Sequence, residues 1–270
     1  MGLQNLHTHT TFCDGTQPPD VMIEAALQKG CDSLGFSDHS YVSFDLDYSM
    51  TPETTLKYIS EINALKTKHM GEIEIFLGIE QDYFTDEAVE GLDYRLGTVH
   101  HVKMEGVYVT IDAGARHQQM IVDEYFGGDY FALAETYFET KANVARKTNP
   151  DIIGHFDLIA KYNIANNLFD EMHTRYVNAA LGAMDEILKD CKLFEVNTGA
   201  MYRFGKPEPY PSAFLLKELY RRGGEVILSS DSHDVQSLCH KFDEMRELLK
   251  TCGFKYTKRL TQAGFIDIPL

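Results

Sequence analysis

No cysteine pair in this chain is spaced as CxxC, and the five cysteines, Cys13, Cys31, Cys191, Cys239 and Cys252, are odd in number. That argues against a disulfide framework and against a thiolate zinc site. It points instead to a reducing compartment, the cytoplasm. Cys13 reads as a small, partly buried filler rather than a reactive thiol. No apolar stretch approaches the roughly 18 residues of a membrane span. The start, Met-Gly-Leu-Gln-Asn-Leu-His, has neither a positive region nor a long apolar core, so no signal peptide is expected. Leu6 stands where a myristoylation signal needs Ser or Thr. Positive charge is scarce too: 25 Lys and Arg face 41 Asp and Glu, a net charge of −16. Such a chain lacks the clustered cations that grip a phosphate backbone, so neither nucleic acid nor a membrane is an expected partner. No low-complexity stretch, internal repeat or Gly/Ser linker divides the sequence, which reads as one domain over 1–270.

What is present is a regular alternation. Short apolar runs of strand length are followed by longer amphipathic segments, the pattern of repeated βα units. Seven strands are predicted: Leu3–Leu6, Ser33–Ser37, Ile73–Ile79, Arg95–Val99, Ile152–Gly154, Leu193–Val196 and Glu225–Leu228. Helices are predicted from Pro18 to Gly30, where proline suits a first turn and glycine follows a last one, and from Pro52 to His69 with Thr51 as cap. Further helices are expected over Tyr130–Lys147, Asp170–Lys189, Pro211–Arg222 and His240–Cys252. The stretch 103–130 reads as an irregular lid or loop insertion.

A polar candidate follows every predicted strand, and nine of these residues are of metal-binding type: His7, His9, Asp14, His39, Glu80, His100, His155, Asp231 and His233. Side chains that follow parallel strands emerge at one end of a barrel, so residues far apart in sequence can converge there. An open doubly wound sheet would place ligands at a single switch point. The spread over all connections therefore favours a closed or nearly closed barrel.

His7-Thr8-His9 and Asp231-Ser232-His233 are two pairs at spacing i, i+2, which in extended chain point to the same side. One HxH alone is weak evidence; its partner at the far end of the chain strengthens it. Glu80 opens a polar run and has two oxygens with which to bridge two cations. His100 and His101 are adjacent and point opposite ways, so His100 is expected at the metals and His101 behind them or facing substrate. His155, in Gly-His-Phe-Asp, has a rival reading as a core histidine. Asp38, before His39, is a candidate for orienting a ligand. Asp14 before Gly15 is either a turn former or the completion of a third metal position with His39 and His233. His69, His117, His173 and His240 are read as structural or solvent-facing. Imidazole with carboxylate suits zinc, iron or manganese, two or three ions in all.

These motifs in this order, HTH at 7–9, SDH ending at His39, GIE ending at Glu80, VHH beginning at Val99, GHFD around His155 and SSDSH ending at His233, resemble the polymerase and histidinol phosphatase (PHP) superfamily. The segment Glu195-Val196-Asn197-Thr198-Gly199-Ala200 is similar to that of its histidinol-phosphatase branch. The resemblance implies a distorted (β/α)7 TIM-like barrel, a single catalytic domain, and metals at the C-terminal ends of the strands. It implies a first metal on His7, His9, Glu80 and Asp231, a second on Glu80, His100 and His155, and a third on Asp14, His39 and His233. Asp14 departs from members that carry histidine there. The implied reaction is metal-dependent hydrolysis of a phosphate monoester, L-histidinol phosphate to L-histidinol and phosphate, in histidine biosynthesis. Arg203 is the expected phosphate contact, because its planar fork matches two phosphate oxygens. Lys161, Lys206 and Arg116 are lesser candidates, and Asp82, Tyr83 and Tyr202 are candidates for the substrate's cationic end. The rival readings are a PHP-type nuclease or nucleotide phosphoesterase, which the acidic charge disfavours, and a metal-binding regulatory protein without turnover.

Overall fold

The computed structural model describes residues 2–85 and 88–270. The first half-turn of the architecture is β1 (Leu3–Asn5), α1 (Pro19–Gln28), β2 (Cys31–Phe36), α2 (Pro52–Lys68), β3 (Glu74–Asp82) and β4 (Tyr94–Thr98). Proline opens both helices, and α2 carries a reciprocal cap in which Thr51 and Thr54 satisfy each other's backbone donors. Next come β5 (His101–Met104), β6 (Val107–Thr110), α3 (Ala115–Phe126), α4 (Tyr130–Ala142), α5 (Val144–Thr148) and β7 (Ile152–Ile153). The remainder is α6 (Asn163–Asn166), α7 (Thr174–Ile187), β8 (Leu193–Asn197), α8 (Gly199–Phe204), α9 (Ala213–Arg221), β9 (Glu225–Ser229), α10 (Phe242–Cys252), β10 (Tyr256–Thr261) and β11 (Gly264–Pro269).

Seven strands form one parallel sheet in the order β1-β2-β3-β4-β7-β8-β9. It curls into a nearly closed barrel, as the alternation predicts. The two ends of the sheet meet beyond β1 and β9, where His9 N–H donates to the Ser232 carbonyl at 2.8 Å and Ser232 N–H to the His7 carbonyl at 3.0 Å. At the opposite end the antiparallel hairpin β10–β11 spans the gap. The Gln4 amide donates to the Leu260 carbonyl and accepts from the Leu260 N–H, at 2.9 and 2.8 Å. The interior is filled by Leu6, Phe76, Tyr94, Leu96, Ile152, Leu193, Ile227 and Leu260. Tyr94 crosses it to donate to the carbonyls of Leu6 and Phe36. A Cβ at Gly78 would lie 2.2 Å from that ring, which is why glycine stands there. The wall is thin at β7, where two residues pair with β4 and one with β8.

Two expectations are corrected. The stretch 103–130 is not irregular: β5 and β6 form a hairpin and α3 follows. Glu105 and Gly106, both at positive φ (49° and 89°), make a two-residue turn whose twist matches the strands. The helix expected over Tyr130–Lys147 is two, α4 and α5, joined at Asn143.

Lys141 on α4 is fully buried and donates to the Gly154 carbonyl at 2.7 Å, one residue before His155. Burial pulls its ammonium down to about 8, against the pull of Glu195 and Glu80. Between about 8 and the ordinary lysine value the folded chain holds fewer protons than the unfolded one, so on this group's account stability rises with pH. The full penalty, about 3 kcal/mol, is present below that window. Lys141→Met removes the penalty but leaves the Gly154 carbonyl unpaired, which costs about 1–3 kcal/mol. Chemical denaturation is expected to find near-equal stability at pH 7 and a smaller rise toward pH 10 in the variant. An unchanged pH slope would refute this account.

Candidate metal centre

The C-terminal ends of the strands bring all nine metal-type residues together. Glu80, still within β3, lies at the centre. Its Oε2 is 3.2 Å from His7 Nε2, 3.3 Å from His9 Nε2 and 3.0 Å from His39 Nδ1. Its Oε1 is 3.3 Å from His100 Nε2 and 2.8 Å from His155 Nε2. Asp231 Oδ1 closes the first group, 3.6 Å from His7 Nε2 and 3.3 Å from His9 Nε2. Asp14 is 3.6 Å from His39 and 3.2 Å from His233. Among the described residues, three sets of ligand atoms lie within 4.8 Å of one another: His7, His9 and Glu80; His39, Glu80 and His100; and His9, Asp14, His39 and His233. They overlap the three groupings implied by the resemblance, with His39 beside Glu80 and His9 beside Asp14.

The electrostatics fit cations. Glu80 is buried, which opposes ionisation, yet its surrounding imidazoles, His39, His7 and His100, hold its carboxyl well below the usual range. Asp14 is held low in the same way, by His39 and His233 against burial. Burial works against the charged form of His9 too, but the Asp231 and Glu80 carboxylates prevail and raise it to about 9. His100 is raised to about 10, where Glu80 and Asp82 outweigh burial. His39, by contrast, is lowered to about 3, chiefly by burial. His9 Nε2 and His155 Nδ1 are buried without a hydrogen-bond partner. Crowded imidazoles, carboxylates and an orphaned ring nitrogen aimed among them form a donor set suited to several divalent ions of borderline softness.

Behind these residues are groups that fix them. Glu195 was not foreseen as part of the site. It is fully buried in β8, accepts from His7 Nδ1 at 2.8 Å, and also binds Ser229 Oγ and the His155 N–H. It therefore sets the His7 tautomer with Nε2 turned to the cluster. Its sequence signal was a carboxylate inside an apolar run, Leu-Phe-Glu-Val, where burial requires partners. Glu195→Gln is expected to lower metal affinity about 10–100-fold, read by chelator competition; wild-type affinity would show that the tautomer is set elsewhere. Asp82 accepts from the His100 backbone N–H at 2.9 Å and pairs with His100 Nδ1 at 3.1 Å. Its place is thus behind the cluster rather than at the substrate.

Above the cluster is a cavity of about 460 Å³. Arg203 and Lys161 are among its lining residues. Arg203, on α8, bonds Asp231 Oδ2 at 2.9 Å and His233 Nδ1 at 3.0 Å, and its buried Nε has no partner. Lys161 pairs with Asp112 at 2.5 Å. Lys206 and Arg116 do not line the cavity: Lys206 is buried over the Tyr210 ring, and Arg116 is exposed on α3. His101 is buried against Asp45 at 3.0 Å, one layer behind the wall. Tyr83 lies under Lys147, and Tyr202 packs against His240. The outer wall instead carries Asp45, Asp47, Tyr48 and Asp112. The Tyr48 hydroxyl is buried without a partner.

The family model for the PHP domain matches residues 5–199. A Deinococcus radiodurans protein named "Probable histidinol-phosphatase" is 29% identical over 270 residues, covering 96% of this chain and 97% of that one. A Schizosaccharomyces pombe protein of the same name is 28% identical over 275 residues, covering 92% and 86%. The crystal structure of histidinol phosphate phosphatase from Lactococcus lactis, complexed with zinc, L-histidinol and phosphate, superposes with a TM-score of 0.69 at 19% identity, covering 97% of this chain and 98% of that one. That likeness is one of fold.

Proposed function

Because this chain belongs to the PHP domain family, we propose that it hydrolyses a phosphate monoester, L-histidinol phosphate, to L-histidinol and phosphate. The observation that carries the reading is the convergence of His7, His9, Asp14, His39, Glu80, His100, His155, Asp231 and His233 beneath a cavity with guanidinium and ammonium groups in its wall. We assign these nine as ligands of two or three divalent ions, zinc, iron or manganese. Bound there, such ions supply Lewis acidity and a hydroxide at neutral pH.

The chain's own groups complete the site. Arg203 lines the cavity, and its planar fork suits the equatorial oxygens on which charge builds during in-line attack. Lys161 adds a second positive charge at the wall. Asp45, Asp47, Tyr48 and Asp112 line the cavity, and their carboxylates suit an ammonium and an imidazole that need acceptors. The curated relatives named as histidinol-phosphatases match along almost the whole chain, which favours this ester over others. The net charge of −16 disfavours a polymeric nucleic-acid substrate. No helix among the described residues is long and apolar enough to cross a membrane. Five free thiols are consistent with a cytoplasmic site of action.

Phosphate release tests the proposal. Purified protein with added Mn²⁺ or Zn²⁺ is expected to release phosphate from L-histidinol phosphate and to leave a phosphodiester and DNA 3′ ends intact. Preference for the diester would make it a nuclease or nucleotide phosphoesterase. Metal binding with no release from any ester would make it an accessory protein.

A further inference from the structure

Two imidazoles of the centre are backed by carboxylates: His7 Nδ1 meets Glu195 at 2.8 Å and His100 Nδ1 meets Asp82 at 3.1 Å. His9 differs. Its Nδ1 lies 3.4 Å from Cys13 Sγ, an ordinary separation for a bond to sulfur, while Asp14 Oδ1 is beyond reach at 3.7 Å. The thiol has an outlet for its own proton: Sγ is 2.9 Å from Asp38 Oδ1, nearer than the 3.3 Å to Asp14 Oδ1. Asp38 is itself pinned by the Thr10 N–H at 2.8 Å and the Thr10 hydroxyl at 3.0 Å. With its hydrogen committed to Asp38, the sulfur presents lone pairs to His9. The opposite nitrogen, Nε2, is buried, has no hydrogen-bond partner, and lies among Glu80 and Asp231.

We propose that Cys13 is a positioning residue for His9, accepting its Nδ1–H through sulfur so that Nε2 is offered unprotonated to the cation shared with His7, Glu80 and Asp231. His9 donates to Cys13 and Cys13 to Asp38, which Thr10 holds by its own donors, so behind His9 a thiol does what a carboxylate does behind His7. Asp38 thereby orients a ligand at one remove. The inference rests on the metal-centre reading of the site, and it concerns affinity rather than turnover.

The test compares zinc retention against a chelator in the wild type, Cys13→Ser and Cys13→Ala. Serine keeps an acceptor and is expected to hold zinc within about threefold of wild type, the tolerance of a retained hydrogen bond. Alanine leaves Nδ1–H unpaired and is expected to weaken zinc about 10–100-fold, beyond the fall in melting temperature that the unpaired donor causes in the metal-stripped protein. Rescue by serine separates an acceptor from mere packing. Wild-type retention in Cys13→Ala overturns the proposal, as does serine behaving like alanine. Should the alanine variant not fold, ¹⁵N-histidine spectra of the zinc-loaded wild type decide: a proton on His9 Nδ1 is expected, and its absence overturns the proposal. Failure of the wild type to take up zinc at all would remove the metal centre itself, a distinct outcome from normal uptake that ignores Cys13.

Discussion

Glu80→Gln is expected to lose metal and to lower kcat on the order of 10³-fold, the scale seen when one group that stabilises transition-state charge is removed. Five imidazoles face the two oxygens of this side chain at 2.8–3.3 Å. Glutamine keeps the shape but removes the charge and turns an N–H₂ toward nitrogens. A consequence for stability follows. The Glu80 carboxyl is held below its ordinary range, so the stabilisation it gives the metal-stripped fold is present at neutral pH and is lost as pH falls through the acid range. The variant should therefore be less stable than wild type at pH 7, with the difference closing in acid. Metal analysis, single-substrate kinetics and melting curves measure all three effects. Wild-type metal content together with wild-type turnover would sink the assignment of this centre.

Arg203→Lys is expected to keep its metals and to lose about 10²–10³-fold in kcat/KM. The guanidinium reaches Asp231 and His233 at once while lining the cavity, whereas an ammonium is a single point that cannot span that set. Inhibition by inorganic phosphate should weaken in parallel. A change smaller than about threefold would demote Arg203 to a structural partner of Asp231. Lys206→Ala provides the contrast, since this lysine packs over Tyr210 away from the cavity and its loss should leave phosphate affinity unaltered.

The parallel strands were legible because each is a short apolar run closed by a polar residue, and because βα alternation has few topological solutions. The ligands were legible for the same reason: a strand end is one of the few places where spacing along the chain translates into convergence in space. What lay behind the ligands was less visible. Glu195 sits inside a strand rather than at its end, so the strand-end pattern does not single it out. Cys13 acts through contacts with His9 and Asp38 that no local pattern encodes. Arg116, on the expected lid, is exposed on α3, and Lys206, in the loop after α8, is buried over Tyr210, so neither lines the cavity. The hairpin β5–β6 did leave a signal, Glu-Gly before the β-prone run Val107–Thr110, but that run is short and partly exposed, with no buried face to mark it as a strand.

The barrel is sealed where Thr8 meets Ser232, on the same rim that holds the ligands. A growing polypeptide presents His7 and His9 long before Asp231 and His233 have been made. Until β9 has left the ribosome and zipped against β1, the first two histidines lack the aspartate that comes from the far end of the chain. Completing the fold and assembling the reactive centre thus coincide, and a chain caught partway through synthesis is chemically silent.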